Sequence, residues 1–361
     1  MKIGLDLRTI DEKGGIGRYT KRVYEELLKI NNNLFYPYPS SESLDIHFNN
    51  NLDFSIELPI SQVELANKYL AFIGGMNDFS VFYSPYHPLP ANAEFKTVMT
   101  IHDLIPIIFP NLTINDQMHH FFRNEIKEAA ESASIIIADS EATKRDICQI
   151  YNIDRKKIKV VYLGCDIDRT IEPTTDILKL FDINEYEYIL SVSTLEPRKN
   201  LKAVIEAFEQ IKNDRKSIKL VLVGALGWKY DELLERASSS LYSQDIIITG
   251  FVNDQQLVSL YKYASVFLYP SFYEGFGLPV LEAMSYGTPV VTSNTSSLPE
   301  VGGNACLYCN PNDVLDIATH VDKVLNDDNL KHKLSVSGME RAQLFTWEKT
   351  ARQIYDILIN I

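Results

Sequence analysis

Apolar runs of strand length alternate with helix-period patterns along nearly the whole chain, and this alternation limits the fold more than any other feature. "KIGLDL" (2–7) reads as a strand, and "GRYTKRVYEELLKI" (17–30) as a helix with Val23, Leu27, Leu28 and Ile30 on one face. The alternation continues through "VFYS" (81–84), "KTVMTI" (96–101), a helix over about 115–132, "SIIIA" (134–138), a helix after Ser140 and "KVVYL" (159–163). Strands and helices in this order build parallel sheets covered on both faces, the α/β class.

After "GCDIDRTIEPTTD" the pattern restarts. "YILSVS" (188–193) leads into a helix from Leu201, then come "IKLVLVG" (218–224), "QDIIITG" (244–250), a helix over 254–263, "SVFLYP" (265–270) and "TPVVTS" (288–293). Two blocks therefore meet near residues 164–176, where Pro173 and a polar run mark a linker. A length of 361 residues suits two domains. We expect an N-terminal domain over 1–168, a C-terminal domain over 169–345, and a closing helix within 346–361 that packs back on the first domain. No solenoid-period repeat is present.

Charge narrows the function classes. The net charge is −13 and neither half is basic, which argues against a nucleic-acid-binding face and requires any anion site to be local. The first residues lack a signal-peptide core and no run approaches 18 apolar residues, so a cytoplasmic protein that does not span a membrane is expected. Four cysteines are too few for a disulfide scaffold in this length. Cys306-Leu-Tyr-Cys309 is a lone CxxC without a second ligand pair, so thiols packed in or beside a strand are expected rather than zinc.

The segment "SFYEGFGLPVLEAMSYGTPVV" (271–291) carries the most specific chemistry. Pro279 suits the first position of a helix, Gly287 a left-handed C-terminal position, and Pro289 stops continuation, which predicts a helix over roughly 279–286. Its free amides follow the flexible Gly275-Phe276-Gly277, with Glu274 ahead of it and Glu282 in its first turn. Helix-start amides attract anions, whereas carboxylates accept hydrogen bonds from hydroxyl pairs. A ligand that is part phosphate and part sugar satisfies both. Taken singly, Glu282 also fits simple dipole compensation, and Glu274 a solvated loop charge.

Written as Glu274-Gly-Phe-Gly-Leu-Pro-Val-Leu-Glu282, the segment resembles the E-x7-E motif of retaining glycosyltransferases of family 4. That resemblance implies the GT-B fold, two facing Rossmann-like domains with parallel sheets and an interdomain cleft. It further implies that Glu274 holds hydroxyls of the donor sugar and Glu282 those of the nucleotide ribose. The amides of Gly275, Phe276, Gly277 and Leu278 would face the donor's phosphates or sugar.

A sugar nucleotide needs positive charge where its diphosphate departs. "STLEPRKNL" (193–201) supplies Arg198 and Lys199 between a strand and a helix. Lys199 matches the family's lysine. The family's Gly-Arg pair is replaced here by Ser193 and Thr194, and Arg198 is expected to supply the missing charge. The Glu-Pro-Arg-Lys-Asn form resembles bacterial mannosyltransferases that use GDP-mannose in surface polysaccharide synthesis, including lipopolysaccharide.

In the N-terminal half, "GGIGRY" (14–19) sits too far from the first strand, and lacks the last glycine, for a dinucleotide fingerprint. The resemblance makes it instead a loop near the donor diphosphate, with Gly15 and Gly17 the critical positions and Arg18 a supporting charge. "TIHDLIP" (100–106) places His102 and Asp103 at the C-terminal end of a strand, where open α/β sheets build their clefts. The family's matching histidine approaches the donor sugar; Asp103 either orients the imidazole or caps the turn. His87, in "SPYHP" (84–88), is assigned to the acceptor side.

Asp166-Ile-Asp168 has the D-x-D spacing of a different, metal-dependent transferase fold but lies at the domain crossing, so no metal or other cofactor is expected. The expected partners are a nucleotide-sugar donor and a glycan or lipid-linked acceptor. The stretches 59–72 and 117–130 are only mildly amphipathic and hardly basic, so membrane contact is at most peripheral, at the inner face. A core face or a homodimer face accounts for their apolar residues equally well. Two other functions fit parts of the pattern: a glycoside hydrolase using Glu274 and Glu282, and a non-catalytic nucleotide-sugar-binding regulatory subunit.

Overall fold

A computed structural model describes residues 1–12, 14–38, 79–86, 88–89, 94–112, 116–165, 171–183 and 185–361. The chain divides into two compact units. One comprises Met1–Pro110, Asn115–Gly164 and Thr346–Ile361; the other comprises Asn111–Ile114 and Cys165–Phe345. Among the described residues no helix is long and apolar enough to cross a membrane. His87, Asp166, Asp168 and the 59–72 stretch lie outside the described residues.

In the first unit, β1 (Ile3–Asp6), β2 (Phe35–Tyr38), β3 (Val81–Ser84), β4 (Lys96–Ile101), β5 (Ile135–Ala138) and β6 (Ile158–Val160) form a parallel sheet in the order β2-β1-β3-β4-β5-β6. The order reverses between β1 and β3. In doubly wound sheets such a reversal opens a crevice beyond the carboxyl ends of the strands. Met99, Ile101, Phe122, Ile126, Ile136 and Ile147 form one core, in which the apolar runs of β4 and β5 meet the helices that follow them.

Local corrections to the sequence reading are small and have clear causes. The first helix runs Gly15–Asn31, so Gly15 and Gly17 lie inside its first turn rather than in a loop ahead of it. Gly14 ends the loop at φ 126°, a conformation that removes the need for a side-chain cap and lets the helix begin early. The helix expected over 115–132 is divided into Asp116–Phe121, a π-type segment Phe122–Ile126 and Lys127–Ser132.

The second unit holds β7 (Tyr188–Val192), β8 (Lys219–Val223), β9 (Ile246–Gly250), β10 (Val266–Tyr269), β11 (Val290–Ser293) and β12 (Cys306–Cys309). They are parallel in the order β12-β11-β10-β7-β8-β9, the mononucleotide-fold order of a Rossmann sheet. The reversal falls between β7 and β10. Their next segments are the Pro197–Lys199 turn and the Glu274 loop, so topology alone gathers the two motifs singled out in the sequence.

Ile189, Leu220, Leu222, Leu268 and Val291 of this sheet pack against Val204, Ile205, Phe208 and Ile211 of the helix Leu201–Asp214 and against Ile317, Val321 and Val324 of the helix Val314–Asn326. The CxxC cysteines lie buried in β12, as strand thiols should. Burial pushes both up to about 12, which keeps them as inert thiols. The helix Trp347–Ile359 belongs to the first unit: Trp347 lies edge-on to Tyr19, and Thr350 donates to the Tyr162 carbonyl.

Candidate functional site

The second unit's constellation starts at the end of β7. A 3-10 turn, Pro197–Lys199, is followed by Asn200 at φ 59°, which opens the helix Leu201–Asp214. The Asn200 amide donates to the carbonyls of Pro270 (3.1 Å) and Pro311 (2.7 Å), tying this turn to the loop after β10. Asparagine tolerates the left-handed region better than most residues, and here its side chain also fixes the loop's position. Phe272 N–H donates to the Arg198 carbonyl at 3.0 Å, a second tie between the same loops.

These ties bring four charged groups together. Arg198 donates through Nη1 to Glu274 Oε2 (2.7 Å) and the Tyr273 carbonyl (2.7 Å), and through Nη2 to Glu196 Oε1 (2.5 Å). Lys199 Nζ donates to Glu274 Oε1 (2.7 Å) and to the Tyr269 hydroxyl (2.9 Å), which in turn donates to Glu274 Oε1 (2.8 Å). Glu196 and Glu274 are only 5% and 7% exposed. Burial alone would raise the Glu274 carboxyl, but the charges of Arg198 and Lys199 and their hydrogen bonds hold it at about 2. Burial lowers Lys199 against the opposing pull of Glu274, and it raises Glu196.

Glu274 is therefore neither a solvated loop charge nor a proton donor. It is an ionised acceptor held between two cations. A retaining glycosidase needs one carboxylic acid to protonate the leaving group, and this environment is the reverse of the apolar pocket that would supply one.

Glu282 differs from its sequence assignment. The helix runs Leu278–Ser285, one residue earlier than expected, because Gly277 at φ 119° starts it. Glu282 consequently sits in the second turn, too far from the first amides for dipole compensation, and accepts a hydrogen bond from the Tyr261 hydroxyl at 2.9 Å. Gly287 takes the left-handed φ of 76° after the helix, as the sequence indicated.

The glycine loop is held from behind by a serine run that sequence reasoning passed over. Ser296 Oγ accepts the Glu274 N–H, and Ser297 Oγ contacts the carbonyls of Glu274 (2.9 Å) and Phe276 (2.6 Å). Gly275, Phe276 and Gly277 are buried, and a Cβ on Gly277 would lie 2.8 Å from Leu298 Cδ2. Val280 and Leu281 donate to the Gly277 carbonyl and Pro279 has no N–H, so among the described residues Leu278 carries the first-turn amide without a backbone partner.

In the first unit, His102 follows β4 and Asp139 follows β5, which pairs with β4. His102 Nδ1 lies 2.6 Å from Asp139 Oδ2. Asp103 Oδ1 accepts the Ile105 N–H at 2.9 Å, so of the two roles open to Asp103 the structure shows turn capping, and Asp139 holds the imidazole. Tyr19 meets the ring edge-on at 4.8 Å and Tyr86 stacks on it at 6.3 Å. Burial would lower His102, but the Asp139 charge and hydrogen bond raise it above its ordinary value.

Of the glycines assigned to the phosphate loop, Gly17 is sterically fixed, since a Cβ there would lie 1.9 Å from the Glu12 carbonyl oxygen. Gly15 faces open space, and Arg18 is exposed on the same first turn. Glu196, Asn200 and Asp139 were missed in the sequence. The signals were present as a carboxylate inside E-P-R-K-N and an aspartate where the run "IIIA" ends.

The model for Glycosyl transferases group 1 matches residues 175–341, and that for Glycosyltransferase Family 4 matches residues 77–169. The chain is 34% identical over 277 residues to the Escherichia coli O-antigen chain mannosyltransferase B, covering 76% of this chain and 72% of that protein. It is 32% identical over 273 residues to the E. coli serotype-specific mannosyltransferase WbdA, covering 73% of this chain but spanning only 33% of WbdA. Anabaena HepE, solved with UDP and glucose, superimposes with a TM-score of 0.74 at 20% identity over 100% of both chains. WaaG, a glycosyltransferase involved in lipopolysaccharide biosynthesis, gives 0.73 at 14% identity over 99% of this chain and 100% of its own. With two family models covering most of its length, two Rossmann-like units and a close mannosyltransferase relative, this chain belongs to the family 4 glycosyltransferases of the GT-B fold.

Proposed function

We propose that the chain is a retaining mannosyltransferase that moves a mannosyl group from GDP-mannose to a hydroxyl of a glycan or lipid-linked glycan. The observation that carries this reading is the Glu196–Arg198–Glu274–Lys199 network at the reversal point of the second sheet. An O-antigen chain mannosyltransferase and a serotype-specific mannosyltransferase among the relatives support the sugar.

In this reading the Arg198 fork and the Lys199 point charge receive the donor diphosphate. The ionised Glu274 accepts hydrogen bonds from mannose hydroxyls, Glu282 does the same for the ribose, and the Leu278 amide faces phosphate. Gly15, Gly17 and Arg18 belong to the diphosphate side of the first unit, and His102 to the sugar side. During transfer the anomeric carbon–phosphate oxygen bond breaks as the carbon–acceptor oxygen bond forms on the same face. The acceptor's proton passes to the departing phosphate oxygen. Charge neutralisation comes from Arg198 and Lys199, with no role for a metal, and the enzyme works in the cytoplasm, facing a soluble or membrane-carried acceptor.

A melting-temperature screen tests the donor. GDP should stabilise the protein more than UDP at equal concentration, and GDP-mannose should be turned over. Stronger stabilisation by UDP, with turnover of a UDP-sugar only, would replace the donor assignment.

A further inference from the structure

Asp139 is buried, 2% exposed, and its Oδ2 lies 2.6 Å from His102 Nδ1. An ionised carboxylate only accepts, so Nδ1 is the nitrogen that carries the proton toward it. Nε2 is then left, and it makes no hydrogen bond of good geometry among the described residues, although the Pro85 carbonyl acts on the ring. The histidine is clamped from its backbone as well. Thr143 Oγ1 donates to the His102 carbonyl at 3.0 Å, and Thr143 is itself fixed in the first turn of the helix Glu141–Tyr151, where the Ser140 hydroxyl accepts its N–H. Two consecutive strand ends thus hold one imidazole by its main chain and by one ring nitrogen.

A purely structural histidine at this place would be expected to satisfy both nitrogens, because an unpaired buried polar atom carries a desolvation cost. The side chain is 15% exposed, so the ring is reachable although Nε2 itself is covered. The aromatic neighbours restrict rotation further: Tyr19 abuts one edge and Tyr86 lies parallel to the ring.

We propose that Asp139 is the positioning residue for His102, fixing the Nδ1–H tautomer and the orientation of the ring during glycosyl transfer. The proposal rests on the glycosyl-transfer reading above and adds a residue to it. The charged and titratable groups that face the imidazole are Asp139, Asp103, Tyr19 and Tyr86, with Glu12 acting on Tyr86. The two aspartates both favour the protonated ring, and Asp139 is the one in contact. Removing its charge therefore moves the histidine's titration toward lower pH.

The test combines kinetics with nitrogen-15 NMR of the imidazole in Asp139→Asn and Asp139→Glu. In D139N, kcat with GDP-mannose should fall about 10- to 100-fold, with KM for the donor within about threefold and GDP binding unchanged. The acid limb of the kcat/KM profile should shift down in pH together with the His102 resonance, and D139E should restore part of kcat. Unchanged kcat and pH profile in D139N would overturn the proposal. So would a loss of kcat that tracks a lower melting temperature and weaker GDP binding. Should the wild type not use GDP-mannose, the donor assignment fails alone, and NMR still decides the Asp139 role. A wild-type His102 whose Nδ1 bears no proton between pH 5 and 9, or whose titration is the same in D139N, removes it.

Discussion

Arg198 and Lys199, adjacent in sequence, end on the two different oxygens of the Glu274 carboxylate, each at 2.7 Å. With Glu196 on the far side of the guanidinium, two cations face two carboxylates in a buried cluster whose formal charges cancel. In the proposed reaction a diphosphate would meet cations that are already aligned, and the arrangement predicts specific consequences of removing each member.

Glu274→Ala should abolish transfer and also destabilise the protein. Truncation leaves Arg198 and Lys199 buried without the carboxylate that both engage, and breaking a buried pair in this way costs about 3–5 kcal/mol. Urea unfolding monitored by circular dichroism measures the loss. A variant of wild-type stability would show that the pairs are not maintained in solution.

The same carboxylate gives a pH signature. Glu274 is held at about 2, below its ordinary 4.5, so its stabilising contribution is present in full above about pH 4.5 and is lost as pH falls through about 2. The contribution is on the order of 3 kcal/mol. Glu196, raised by burial, works in the opposite direction and offsets part of it. Between pH 4.5 and 2 the wild type should lose more unfolding free energy than Glu274→Gln. Parallel pH–stability curves for the two proteins contradict the ion-pair account.

Arg198→Lys keeps the charge but not the fork. A single ammonium cannot reach Glu196, the Tyr273 carbonyl and Glu274 together, as the guanidinium does. We expect kcat in single-turnover experiments to fall about 10- to 100-fold, consistent with loss of one preorganised donor.

Tyr261→Phe removes the hydroxyl that donates to Glu282. The carboxylate loses one oriented donor, and donor KM should rise about fivefold, the equivalent of about 1 kcal/mol, with kcat little changed. A fall in kcat with constant KM would assign Glu282 to the chemical step instead.

Two neighbouring glycines should behave differently. In Gly17→Ala the new methyl meets the Glu12 carbonyl at 1.9 Å and must displace backbone, costing about 1–3 kcal/mol. Gly15→Ala meets nothing within 4 Å and gains helix propensity, so its melting temperature should hold or rise. Together the two variants separate steric necessity from any requirement for the bare backbone by the donor.

The sheets were legible because strand-length apolar runs survive as buried strands: "YILSV", "KLVLV" and "VFLY" became β7, β8 and β10 almost residue for residue. The motif residues were also legible, since Arg198, Lys199 and Glu274 lie in loops that follow such strands. Their pairing was not, because contacts over 75 and 76 residues depend on which strands become neighbours. For the same reason Asp103, adjacent in sequence, was a candidate partner of His102, when the partner in space is Asp139, 37 positions away. The helix starts at Gly15 and Leu278 shifted by one or two residues because glycines with positive φ, not side-chain caps, define them.

The C-terminal helix has an implication for synthesis. Trp347 backbone and ring atoms fill the space beside Gly164, and the helix that follows packs on Gly15–Asn31, so the first unit draws its last structural piece from residues 346–361. On the ribosome, that unit emerges early but remains incomplete until residues 165–345 have passed through the exit tunnel. A nascent chain halted before Thr346 should therefore carry an unfinished N-terminal lobe, vulnerable to proteases and chaperone capture.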